Sequence, residues 1–114
     1  MKLLLTSAGI SNLSIRNALI ELLDKPIEES KALFIPTAIY AIKGSAEIIR
    51  GVISGTIGAP FCELGWKSIG ILELTAMPSM KKELWLKQLE ETDALLVGGG
   101  DCQYLTYWMQ QSGL

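Results

Sequence analysis

Four short apolar runs punctuate this chain, and each is followed by a stretch whose apolar residues repeat at helical spacing. That alternation constrains the fold more than any other feature. Residues 2–7 (Lys-Leu-Leu-Leu-Thr-Ser) carry no charge after Lys2 and read as a buried strand. Ala32-Leu33-Phe34-Ile35 is a second run, stopped by Pro36. Residues 70–75 (Gly-Ile-Leu-Glu-Leu-Thr) resemble a third, and residues 93–97 (Asp-Ala-Leu-Leu-Val) are the clearest. Buried strands alternating with helices specify an α/β fold: a mostly parallel sheet flanked by helices, with right-handed crossovers.

The intervening segments carry their own signals. Residues 8–12 have turn chemistry, and Ser11 or Asn12 can cap a helix. Ile15, Ala18, Leu19, Leu22 and Leu23 then form one apolar stripe, ended by Lys25-Pro26. Residues 37–44 read as a loop. Ser45 is placed to cap a helix with Ile49, Val52 and Ile53 inside, although Gly51 and Gly55 weaken it. Residues 55–60 read as a second flexible stretch. Residues 60–68 read as a helix with Pro60 in its first turn. Ser79 is placed to cap a helix over residues 80–91, with Leu84, Trp85 and Leu89 inward. Gly98-Gly99-Gly100 ends the fourth run, and Asp101 caps a last helix bearing Leu105, Trp108 and Met109. Gly113 stands where a left-handed cap belongs.

The 114 residues suit one domain. No apolar run approaches the roughly 18 to 20 residues that span a bilayer, and the leucines at the N-terminus are too few for a secretory signal. A net charge of −2 without a basic cluster argues against a nucleic-acid partner. Two cysteines, Cys62 and Cys102, build no disulfide framework and fit free thiols in a cytoplasmic protein. The count of zero histidines is the sharpest restriction. It removes Ser-His and Cys-His catalysis from these residues, and with them every histidine-based metal site. Nothing argues for a cofactor.

Open parallel sheets bind ligands beyond the carboxyl ends of their strands. Three such ends stand out: residues 6–12, 36–43 and 98–102. At the first, Thr6-Ser7-Ala8-Gly9 imitates part of a nucleophile elbow, Gly-x-Ser-x-Gly, but Leu5 replaces its first glycine. Ser7 is therefore read as a turn hydroxyl at the margin of a pocket. The triple glycine is the strongest local signal. Glycine amides approach a ligand closely, and a helix start adds unpaired N–H groups, so the turn suits an anion or an oxyanion. The dinucleotide fingerprint fails because Gln103 stands at its third glycine, and no Lys-Ser or Lys-Thr makes a Walker loop. A phosphoacceptor receiver fails too, since Thr6, Ser7, Thr75 and Ala76 stand where it needs acids. Cys102 lies by a helix start that can activate a thiol, yet lacks a base. Trp66, Trp85 and Trp108 read as helix-borne core residues.

Four pieces together resemble the peptidase E family of serine peptidases: residues 2–7, Ala32-Leu33-Phe34-Ile35-Pro36-Thr37-Ala38, Glu63-Leu64-Gly65-Trp66, and Ala94-Leu95-Leu96-Val97-Gly98-Gly99-Gly100-Asp101 followed by Tyr104-Leu105. The resemblance covers essentially the whole chain. It implies a fold like that of class I glutamine amidotransferases, a three-layer arrangement around a parallel sheet. It implies hydrolysis of short peptides, in the best-known branch after an N-terminal aspartate, while a related branch acts on aspartate-rich polymers. Family catalysis uses a serine on a Gly-x-Ser-Ala-Gly elbow, a histidine and an acidic partner. The third glycine of the turn supplies an oxyanion-hole amide. That position is Gly100, with Gly99 adjacent and Asp101 in the pocket where many relatives carry asparagine.

The elbow strand of the family follows the helix after the triple glycine. Neither the elbow nor any histidine occurs in these residues. The resemblance therefore implies the N-terminal half of a peptidase E-like domain, with no catalytic residue of its own and no activity alone. The alternative is a non-catalytic anion- or partner-binding module. Without an elbow strand beside it, residues 94–97 would form an apolar sheet edge that invites homo-oligomers.

Overall fold

A computed structural model describes residues 2–6, 9–56 and 61–114. Its strands are β1 (Lys31–Ile35), β2 (Ser68–Ile71) and β3 (Ala94–Val97), and its helices are α1 (Leu13–Leu23), α2 (Ser45–Ser54), α3 (Lys82–Glu90) and α4 (Cys102–Ser112). Short 3-10 helices cover Ile27–Glu29, Thr37–Ala41 and Met77–Ser79. The strands form one parallel sheet in the order β2-β1-β3. Lys31 pairs with Ser68, and Ala32 with Ala94.

Strand alternation splits β1 between two cores. Ala32 and Phe34 join Leu96 and Ile39 on the first face, under Ile48, Ile49 and Val52 of α2. Leu33 and Ile35 join Leu72, Leu74, Met77 and Trp85 on the second, with Leu105 and Trp108 of α4 against them. A third cluster of Ile10, Leu19 and Ile27 belongs to α1 and shares Phe61 and Trp66 with the first face. Helices α1 and α2 thus cover one face, and α3 and α4 the other. The crossover from β1 to β2 and the crossover from β2 to β3 travel in opposite directions, so helices on opposite faces give both the same hand.

The α/β class, the parallel sheet and its flanking helices match the sequence reading. Several local expectations do not. Residues 2–6 form no strand and lie outside the three-stranded sheet. They lie against α1 instead: Lys2 Nζ donates to the Leu22 carbonyl at 3.1 Å, and Leu4 packs in the α1 cluster. Residues 42–44 are an exposed turn as expected, but residues 37–41 are not a free loop. Thr37, Ala38 and Ile39 are buried in a 3-10 turn between α2 and α4. Residues 61–67 are not helical, and Pro60 lies outside the described residues. There Phe61 N–H donates to Glu63 Oε1 (2.8 Å) and Trp66 Nε1 donates to the Phe61 carbonyl (2.9 Å). Local side-chain bonds have displaced the helical ladder, and Trp66 reaches the core from a turn.

Pairing to β1 starts β2 two residues before Gly70 and ends it before the buried Leu72 and Leu74. Gly44, with φ of 77°, precedes α2, so Ser45 is its first residue and no side chain caps it. Ser79 ends a 3-10 turn and does not cap α3, and Leu84 points to solvent at 61% exposure. Two other cap expectations hold. Asn12 accepts from Ile15 N–H at 2.9 Å, and Gly113 closes α4 with φ of 78°.

Asp93 ties the amino ends of β1 and β3 together. Its carboxylate accepts from Lys31 N–H and pairs with Lys25 Nζ, both at 2.8 Å. The lysine and the backbone donor hold this carboxyl below the usual carboxylate range. A folded-state pKa below the unfolded one stabilises above the unfolded value, near 3.9, and is lost as pH falls through the folded value. Asp93→Asn should therefore melt below the unsubstituted chain at pH 7, with the gap closing toward pH 2. An equal gap at both pH values would contradict this.

Candidate functional site

The connections leaving β1 and β3 go to opposite faces: β1 leads to α2 and β3 to α4. Neighbouring strands that diverge in this way open a crevice at their carboxyl ends, the usual ligand position in such sheets. At that position here, residues 36–40 pack directly against Gly98-Gly99-Gly100-Asp101.

Packing shapes this turn tightly on one side. Gly98 N–H donates to the Ile35 carbonyl at 3.1 Å, and Asp101 N–H donates to the Ala38 carbonyl at 2.9 Å. Gly100 has φ of 151°, and a Cβ there would overlap the Ala38 carbonyl and lie 3.0 Å from Ile39 N. Only glycine lets the backbone come this close. The other side is open. Gly99 and Gly100 are exposed, and among the described residues neither amide donates a backbone hydrogen bond. An added Cβ on Gly99 meets nothing within 4 Å. Two adjacent backbone donors on exposed residues are thus without a backbone partner among the described residues.

Asp101 spends its side chain differently. Its Oδ1 accepts from Tyr104 N–H at 2.9 Å, capping α4. The carboxylate therefore complements the positive end of the helix itself. Ser7, the other pocket residue expected from sequence, lies outside the described residues.

A polar pair that the sequence did not disclose sits at the same end of the sheet. The Tyr40 hydroxyl, in the turn after β1, donates to the Glu73 carboxylate, which follows β2. Burial first, and then Glu73, push the Tyr40 pKa upward, so the phenol holds its proton. Thirty-three positions separate the two residues. The one available signal was that both follow a strand's carboxyl end. Nearby, Thr37 Oγ1 is buried without a partner among the described residues.

Cys62 and Cys102 are unpaired thiols. Burial, assisted by Glu63, pushes Cys62 up to about 11, which makes it a poor thiolate. Cys102 is exposed at the start of α4, beside a shallow groove of about 350 Å³ that also touches Gln103, Thr106, Tyr107 and Gln110. Among the described residues, no three His, Cys, Asp or Glu side chains gather as metal ligands, and no helix is long and apolar enough to cross a membrane. No protein-family model, curated protein or solved structure matches the chain.

Proposed function

We propose that the glycine turn is the oxyanion-binding element of a peptidase E-like serine hydrolase acting on short peptides in the cytoplasm, in a fold of the class I glutamine amidotransferase type. One observation carries this reading: among the described residues, the amides of the exposed Gly99 and Gly100, at the carboxyl ends of β1 and β3, have no backbone acceptor. Fixed backbone donors stabilise the negative charge that develops on a carbonyl oxygen under attack, because they need no reorganisation at that moment. Gly100 is held by the Ala38 backbone, so its amide direction is set before any substrate arrives. The small peptide is the one partner this chemistry requires; no metal or cofactor enters it.

The chemistry is incomplete within these residues. They contain no histidine and no Gly-x-Ser-x-Gly, so nucleophile and base must come from outside them. An oxyanion hole alone retains only about 10³ to 10⁴ over water in a complete serine protease. The 114-residue chain should therefore show no detectable hydrolysis of an aspartyl dipeptide. Turnover that follows the chain through purification would overturn the inference that nucleophile and base come from outside these residues. The missing nucleophile also favours a second reading, in which the same amides hold a carboxylate or phosphate without catalysis. Saturable binding of inorganic phosphate at the glycine amides, with none of the dipeptide, would select it.

A further inference from the structure

We propose that two copies of this chain pair through the outer edge of β2, antiparallel about a two-fold axis at Gly70, joining two three-stranded sheets into one. β2 is an outer strand, and its side away from β1 has no partner among the described residues. Ile69 is 42% and Ile71 43% exposed. They pair with Ala32 and Phe34, so both lie on the first face. An apolar strand with an open edge invites another strand, and this one matches itself.

The backbone selects the register. Leu72 N–H donates to the Phe34 carbonyl, and Gly70 stands two residues earlier in the same ladder. Alternation therefore turns the N–H and C=O groups of Ile69 and Ile71 away from β1, toward the open edge. Facing residues of an antiparallel pair exchange both bonds only when both turn these groups to the shared edge. An axis at Gly70 sets Ile69 opposite the copy's Ile71, and Ile71 opposite the copy's Ile69. An axis at either isoleucine would set the other against Lys67 or Glu73. An axis between residues would set outward groups against inward ones and make no such bonds.

The side chains favour the same axis. Glycine there keeps the closely facing backbones free of side chains, and the isoleucines form two apolar cross-strand pairs on the first face. Lys67 stands three residues before Gly70 and Glu73 three after. Each lysine therefore comes opposite the copy's Glu73, so opposite charges meet at both ends. Lys67 is exposed and has no salt bridge among the described residues. On the second face, Gln88 of α3 lies 3.9 Å from where a Gly70 Cβ would stand. Leu84, one turn earlier on that side of α3, is 61% exposed, and the copy's α3 would come alongside it.

An isologous pairing uses the same edge on both copies and stops at two. It leaves the outer edge of β3 and the glycine turn free for a nucleophile-bearing segment. The sequence singles out residues 94–97 as the self-associating edge, but Asp93 and Asp101 bracket that run with charges of one sign.

Sedimentation of the full chain tests this. At tens of micromolar the unsubstituted chain should run as a dimer, twice 12.4 kDa. The Ile69→Lys, Ile71→Lys chain should run as a monomer with an unchanged circular dichroism spectrum, since both side chains are exposed. Mixed with an Ile69→Glu, Ile71→Glu chain, it should return to a dimer of one copy of each, because every lysine then faces a glutamate. Lys67→Glu should weaken the dimer about tenfold, and less in high salt. Leu95→Lys, Val97→Lys should leave it intact. Amide exchange reads the register without substitutions: the Ile69 and Ile71 amides should slow about tenfold from dilute to concentrated protein, with Leu95 and Val97 unchanged. A monomer at every concentration would overturn the proposal. So would charge-paired chains that stay apart, or a dimer that survives the β2 substitutions and is lost with those in β3.

Discussion

Gly100→Ala should lower stability by about 3 kcal/mol, roughly 10 to 20 °C in melting temperature for a domain of this size. The new methyl group would enter the Ala38 carbonyl, and the backbone would keep a φ of 151° that side chains rarely adopt. Neither contact can yield cheaply, since Ala38 is buried and its carbonyl also accepts from Asp101 N–H. The adjacent glycines are built-in comparisons. Gly99→Ala meets open space and should stay within about 0.5 kcal/mol. Gly98→Ala would place a methyl 3.1 Å from Ile39 Cδ1 and 3.3 Å from Phe34 Cε1, contacts that side chains can relieve in part. An order of Gly100, then Gly98, then Gly99 in thermal melts follows from these contacts. Equal losses at all three would show that the turn is not seated on Ala38.

Phe34→Ala should remove about 3 to 5 kcal/mol, a large share of the roughly 5 to 15 kcal/mol that holds a domain of ordinary stability. Phe34 is fully buried in the central strand and touches the first-face core and the Phe61 ring, whose centroid is 6.2 Å away. Truncation leaves a cavity that strands on both sides cannot close. Leu95→Ala, on the outer strand and 43% exposed, should lose about 1 kcal/mol or less. Urea midpoints of the two variants measure this difference. Comparable losses would mean that the sheet order places β1 wrongly.

Where sequence and structure agree, a local cause was strong enough to act alone. The runs at β1 and β3 are uninterrupted aliphatic or aromatic residues bounded by Pro36 and by Gly98, so their identity needed no tertiary information. The Asp101 and Gly113 caps of α4 depend only on residues within one turn. Where they disagree, a distant partner decided. Residues 2–6 have strand composition, but Lys2 bonds to the Leu22 carbonyl and Leu4 packs with α1 in place of a ladder. The loop-like composition after Pro36 conceals a buried turn because α2 and α4 close over Thr37 and Ile39. The third strand starts early because Ser68 meets Lys31.

The site divides in the same way. A triple glycine between a strand and a capped helix announced a close backbone approach, and the structure supplies its target, Ala38. No spacing rule could pair Tyr40 with Glu73, because that contact exists only once β1 and β2 are side by side.

On the proposed function, the Gly99 and Gly100 amides are open donors that receive negative charge from a peptide ligand. Amide-resolved NMR of the labelled chain tests it most directly, first without ligand and then during titration with an aspartyl dipeptide. Without ligand, both amides should exchange rapidly, while the Asp101 amide, bonded to Ala38, should be protected. On titration, the Gly99 and Gly100 resonances should move together and saturate, with the β1 amides unchanged. Protection of both glycine amides before any ligand is added, or saturable binding that leaves them unmoved, would contradict the account.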